Sequence, residues 1–145
     1  MTEQRATAYA TLILRLTLGS LFIAHLYWKF AILPGGLETW WSNFGANGYP
    51  WLVPCYVISA ELAGALLLIP GIYTKWVCLY TVPLMLGAAQ FWLVRRGFYF
   101  TAAGGELPIV WAIMLIVQSL LGDGPYAAKP ATLSWGRSHR TQTTW

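Results

Sequence analysis

The chain has few charged residues. Nine Lys and Arg and five Asp and Glu make up 10% of its 145 residues, whereas 57% are hydrophobic. Soluble domains carry about 25% charged residues, and a soluble fold of this length could not bury so much apolar surface. The composition therefore predicts an integral membrane protein with lipids as partners. Because the basic residues are scattered and form no stripe with stacking aromatics, nucleic acid is not an expected partner.

Cysteine and histidine are also scarce, with two of each. Cys55 and Cys78 fall at opposite ends of adjacent predicted helices, roughly 20 Å apart by helix rise. A disulfide needs Cα atoms within about 7 Å, so we expect neither pairing nor thiol oxidation chemistry. Only His25 lies in a predicted span, since His139 is in the tail, which excludes a haem held by two histidines of this chain. We expect no metal site and no covalently bound cofactor.

Four apolar segments predict four membrane-spanning helices, over residues 8–33, 51–69, 75–94 and 107–121. The first is too long and too polar for a cleaved signal peptide, so we expect it to be retained. Aromatic and polar residues at 37–44 predict a short helix lying in the membrane interface. The expected fold class is an all-α membrane protein: a four-transmembrane-helix bundle with an interfacial helix between helices 1 and 2. It occupies residues 1–125, and a polar tail follows over residues 126–145.

Basic residues decide the expected orientation. With four spans, one side of the membrane carries both termini together with Arg5, Lys75, Lys129, Arg137 and Arg140. The other side carries Lys29, Arg95 and Arg96. The positive-inside rule therefore places both termini in the cytoplasm. Trp40, Trp41 and Trp51 are expected to anchor the opposite interface, because Trp favours the boundary between hydrocarbon and headgroups.

A depth count at about 1.5 Å per residue gathers the polar residues of the predicted spans in the outer half of the bundle. The candidate site residues are His25, Lys29, Glu61, Gln90 and Glu106. Two interpretations stay open. In one, Glu61 is neutralised by His25, Lys29 or Arg15, with Arg15 and Glu61 as structural ion-pair candidates. In the other, the residues line a pocket for a quinone headgroup or another amphipathic molecule, or relay protons.

Ordered motifs run along the same helices. They are Arg15-Leu16-x-x-Gly19-Ser20-Leu21-Phe22-Ile23-Ala24-His25-x-x-x-Lys29, Glu61-Leu62-x-Gly64-Ala65, Gly104-Gly105-Glu106-Leu107-Pro108 and Gly122-x-Gly124-Pro125-Tyr126. In this order, over residues 12–126, they resemble the DoxX family of small bacterial membrane proteins. The resemblance implies a four-helix bundle in the bacterial inner membrane and a subunit of a membrane redox system. The related DoxD branch belongs to a thiosulfate:quinone oxidoreductase. The aromatic loop at Trp40 and Trp41 and the tail beyond Lys129 depart from the family pattern.

Together these features predict an integral subunit of a redox or energy-converting membrane complex, with a supporting or docking role and a quinone site nearby. The expected partner is a larger membrane protein complex, and the expected non-covalent ligand is a quinone or a lipid. A quinone-reducing subunit of the thiosulfate:quinone oxidoreductase type is the alternative, so whether the chain is itself an enzyme stays open. A small transporter is a third hypothesis, although four short helices leave little room for a path.

Overall fold

A computed structural model describes residues 2–128, and all regular structure in that range is helical. The helices are α1 (Glu3–Tyr27), continued by a π-helical turn (Trp28–Ile32), α2 (Gly36–Ala46), α3 (Leu52–Leu67), α4 (Thr74–Arg96) and α5 (Glu106–Leu121), with a 3-10 turn at Phe100–Ala102 before α5. The all-helical fold class is confirmed. So is the presence of a short helix, α2, between the first and second predicted spans. The predicted polar tail falls outside the described residues from position 129 onward.

Helices α1, α3, α4 and α5 form a ring in which each packs on two others, and α2 lies across the π-helical turn and α3. The core of this ring contains Leu18, Phe22, Ala60, Leu68 and Leu115, all fully buried. A glycine lies at the contact between α1 and α3. A Cβ placed on Gly64 would lie 2.3 Å from the Phe22 ring, so only glycine lets these two helices approach this closely.

Helix length separates the four predicted spans into two classes. The continuous helix Glu3–Ile32, with 30 residues, and α4, with 23, are long and apolar enough to cross a membrane. The helices α3 and α5 have 16 residues each, a rise of about 24 Å against a hydrocarbon thickness of about 30 Å. Both are apolar. Helix α3 is shorter than the predicted segment 51–69, whereas α5 agrees with the predicted segment 107–121 to within one residue.

Candidate functional site

Lys29 and Glu61 form a buried ion pair between the π-helical turn and the middle of α3. The Lys29 Nζ donates to Glu61 Oε1 at 2.6 Å and to Oε2 at 2.7 Å. The side chains are only 5% and 3% exposed. Within residues 2–128 this is the only side-chain ion pair. Both carboxylate oxygens are thus occupied by one ammonium group, as a buried charge pair requires if it is to be tolerated.

Trp40 of α2 covers this pair. The Lys29 Nζ lies 5.1 Å from the centroid of the Trp40 ring, within the range of a cation–π contact. Trp40 is buried, whereas Trp41 and Trp51 are exposed. The ring of Trp40 packs inward on the ammonium, and its place at the membrane interface stays a prediction. Lys29, Glu61 and Trp40 together join α1, α2 and α3 at one end of the bundle.

His25 lies one helical turn before Lys29 and belongs to a different contact. Its imidazole meets the ring of Trp111 edge-on, with centroids 4.8 Å apart. Trp111, on α5, also packs on Phe22 at 5.0 Å. Its indole Nε1 is buried and has no hydrogen-bond partner among the described residues. The sequence analysis missed Trp111, although a Trp inside a predicted span, away from the interface that this residue prefers, is a usable signal.

Gln90 and Glu106 do not join the ion pair. Gln90 is exposed on α4, and its side chain makes no hydrogen bond within the part of the chain that the structure describes. Glu106 begins α5, and its Oε2 accepts a hydrogen bond from the backbone N–H of Phe100 at 2.9 Å. The five candidate residues therefore do not form one cluster. Lys29 and Glu61 bind each other, and His25 lies one turn away.

Arg15 is the centre of a second polar cluster, at the other end of the bundle. Its buried guanidinium donates to the backbone carbonyls of Asp123 and Tyr126, in the segment that follows α5. The Asp123 Oδ1 in turn accepts from the N–H of Thr74, at the start of α4, at 2.8 Å. Gly71 closes over the guanidinium with φ 77°, and a Cβ there would overlap Arg15.

The pairing of Arg15 with Glu61, one of the expected alternatives, is thus corrected. Arg15 lies 14 residues before Lys29, a separation of about 21 Å along the helix, so the two cations serve opposite ends of the bundle. Asp123 was not singled out from the sequence. Its position between two glycines suggested only a helix end.

The two cysteines are free thiols, Cys78 buried and Cys55 half-buried. Within residues 2–128 no three His, Cys, Asp or Glu side chains gather closely enough to hold a metal ion.

Comparison with known families agrees with these features. The family model DoxX matches residues 10–96, which is more than half of the chain. The chain belongs to the DoxX family. The matched region runs from α1 to α4 and contains Arg15, His25, Lys29 and Glu61, whereas Trp111 on α5 lies beyond it. Membership of the DoxX family, with the two long apolar helices, indicates a membrane protein of the DoxX type. Comparisons with curated proteins and with solved structures gave no match.

Proposed function

We propose that this DoxX-family chain is a supporting subunit of a redox or energy-converting complex in a bacterial inner membrane. The observation that carries the proposal is the closed Lys29–Glu61 pair. The ammonium group occupies both carboxylate oxygens, and Trp40 covers it. A charge pair with every group satisfied fixes helices in place and leaves no free acid or base for chemistry. Its role in the proposal is therefore architectural.

The proposed placement has four spans with both termini in the cytoplasm. For the two shorter helices, this placement is supported by exposed apolar side chains on their outward faces. Leu66 on α3 is 67% exposed, and Leu120 on α5 is 82% exposed. A short helix can span by thinning the bilayer locally or by extending through flanking residues, at a modest cost for each ångström of mismatch. In this orientation α2 and the loop that follows it lie on the outer side, and the Arg15 cluster lies on the cytoplasmic side.

The proposed docking surface is the outer aromatic edge, formed by Trp41, Tyr49 and Trp51, all of them exposed. Large aromatic side chains are enriched in protein interfaces because they bury much area at little cost in conformational entropy. Arg95 joins α4 to the loop between α2 and α3, since its Nη2 donates to Asn47 Oδ1 at 2.8 Å. That contact gives the edge a rigid base.

The test is purification of the tagged full chain from its native membrane in mild detergent. We expect a larger subunit with flavin or haem absorbance to accompany it. Trp41→Ala should reduce the yield of that subunit, because it removes an exposed aromatic side chain without disturbing the Lys29–Glu61 pair. Trp76→Ala is the matched control, since Trp76 is also exposed but lies on α4 at the opposite end. A lone monomer, or partners without a redox group, would overturn the proposal.

A quinone-reducing subunit is the second candidate function. It is favoured by the polar groups of His25 and Trp111, which make no hydrogen bond within residues 2–128. If the ion pair takes part in that chemistry, Glu61→Gln lowers quinone reduction by the purified complex while the chain remains folded. Unchanged turnover in Glu61→Gln would reject a chemical role for this carboxylate.

A further inference from the structure

Two polar groups of the bundle stand apart from the closed ion pair. The indole Nε1 of Trp111 is buried without a hydrogen-bond partner among the described residues, and Trp111 as a whole is 3% exposed. The imidazole of His25 lies against that indole and makes no hydrogen bond within residues 2–128. In hydrocarbon neither water nor another solvent satisfies such groups, so polar side chains there usually have a partner.

The two groups differ in access. Trp111 faces the core, where Phe22 packs on its ring. His25 is exposed on the flank of α1 that meets α5. Turning the imidazole breaks no hydrogen bond within residues 2–128 and costs only its ring contact with the indole. The way in is therefore from the surface of the bundle that the proposed placement turns toward lipid.

The chemistry of the pair selects its ligand. An indole N–H is a donor only, and its natural partner is an acceptor oxygen such as a carbonyl. A neutral imidazole can donate to the same oxygen from a second direction. Exposed apolar side chains lie one helical turn from each residue, Trp28 after His25 and Leu107 before Trp111, and they suit a hydrocarbon chain.

We propose that His25 and Trp111 form a subsite for the carbonyl oxygen of an amphipathic molecule that enters between α1 and α5 from the lipid. The inference rests on the proposed membrane placement and deepens the proposed function. It assigns ligand binding to this pair of side chains and architecture to Lys29 and Glu61. The carbonyl can belong to a quinone ring or to the ester of a phospholipid, and the experiment separates these sources.

The experiment uses the full chain, labelled with 15N-histidine, in detergent. The sequence has two histidines, so the imidazole spectrum has one reporter at the site, His25, and one control, His139. His139→Asn assigns the signals. Decylubiquinone, a short-chain phosphatidylglycerol and dodecane are titrated separately. We expect one or both carbonyl-containing probes to shift the His25 nitrogens in a saturable way, with dodecane and the His139 signal showing no such response.

Trp111→Phe keeps an aromatic ring against Phe22 and His25 but removes the indole N–H. Loss of one neutral hydrogen bond should weaken binding of the effective probe about fivefold. Trp92→Phe on α4 is the matched control and should leave the affinity unchanged. Saturation by the quinone alone identifies a quinone-type subsite, and saturation by the phospholipid alone identifies a bound lipid. No response to either probe, or an equal response to dodecane, overturns the inference.

The result is independent of the partner subunit. A His25 response in a chain that purifies without any redox partner would keep the subsite and remove the proposed function. A redox partner that co-purifies with a chain whose His25 signal responds to neither probe would support the proposed function and overturn the subsite.

Discussion

Replacing Lys29 by Met should destabilise the bundle by about 3 kcal/mol. The substitution keeps a long apolar stem but removes the ammonium that occupies both oxygens of Glu61. The carboxylate then remains only 3% exposed and has no counterion. The predicted cost is that of an unpaired buried charge, which is distinct from the net contribution of the pair itself.

Two known ranges bear on the magnitude. Removing one partner of a buried ion pair costs about 3–5 kcal/mol in soluble proteins. Side-chain hydrogen bonds in membrane bundles contribute only about 0.6 kcal/mol on average, because polar groups also find partners in the unfolded state. The range of about 3–5 kcal/mol applies here, since a charge is left unpaired. Because polar groups also find partners in the unfolded state, we expect a cost at the lower end of that range. The double substitution Lys29→Met with Glu61→Met leaves no charge to bury and should recover most of the loss.

The assay is reversible unfolding in mixed micelles, followed by far-UV circular dichroism for the two single variants and the double variant. The coupling energy, the sum of the single losses minus the double loss, should reach about 3 kcal/mol, because residues in direct contact are not additive. Arg96→Met removes an exposed cation at the end of α4 and should change stability by less than about 0.5 kcal/mol. Single losses below about 1 kcal/mol that simply add would refute the reasoning.

Three further predictions concern packing, the Arg15 cluster and topology. Gly64→Ala should cost about 1–3 kcal/mol, because its Cβ would lie 2.3 Å from Phe22, whereas Gly87→Ala, with open space around it, should be neutral or stabilising in the same unfolding assay. Asp123→Ala should cost about 1 kcal/mol, since it removes the carboxylate that accepts from the Thr74 N–H, and Asp123→Asn should retain most of the stability; equal losses would contradict the role of that oxygen. A reporter enzyme that is active only outside the cytoplasm should be active when fused after residue 48 or 98 and inactive when fused after residue 71 or 128. Any other pattern would contradict the four-span placement.

The sequence predicted the helical content well, because apolar segments separated by Pro and Gly leave few alternatives. It also placed the short helix at residues 37–44, where the structure has α2. Spacing along one helix could not decide which cation meets Glu61. Arg15, His25 and Lys29 lie near one stripe of α1, and the partner of Glu61 depends on the position of α3 along the axis of α1. That position depends on tertiary contacts such as the one between Gly64 and Phe22, which a depth count of about 1.5 Å per residue does not resolve.

The role of aromatic residues was harder to predict. Composition favours the interface for every Trp, yet Trp40 packs on Lys29 and Trp111 lies in the core. In both cases the deciding factor is a polar or aromatic neighbour from another helix, which the local sequence does not identify. The same is true of Asp123, whose carboxylate serves a helix that begins 49 residues earlier.

The central claim is that the contact between Lys29 and Glu61 is structural, so that an apolar contact can replace it, and takes no part in chemistry; it has a direct test in the complex itself. The measurement is recovery of the redox partner with the tagged Lys29→Met, Glu61→Met double variant, alongside the quinone reduction rate of the recovered complex. The account predicts that the double variant folds, brings the partner with it in wild-type yield and leaves the rate unchanged. A double variant that folds normally but loses the partner or its turnover would contradict it.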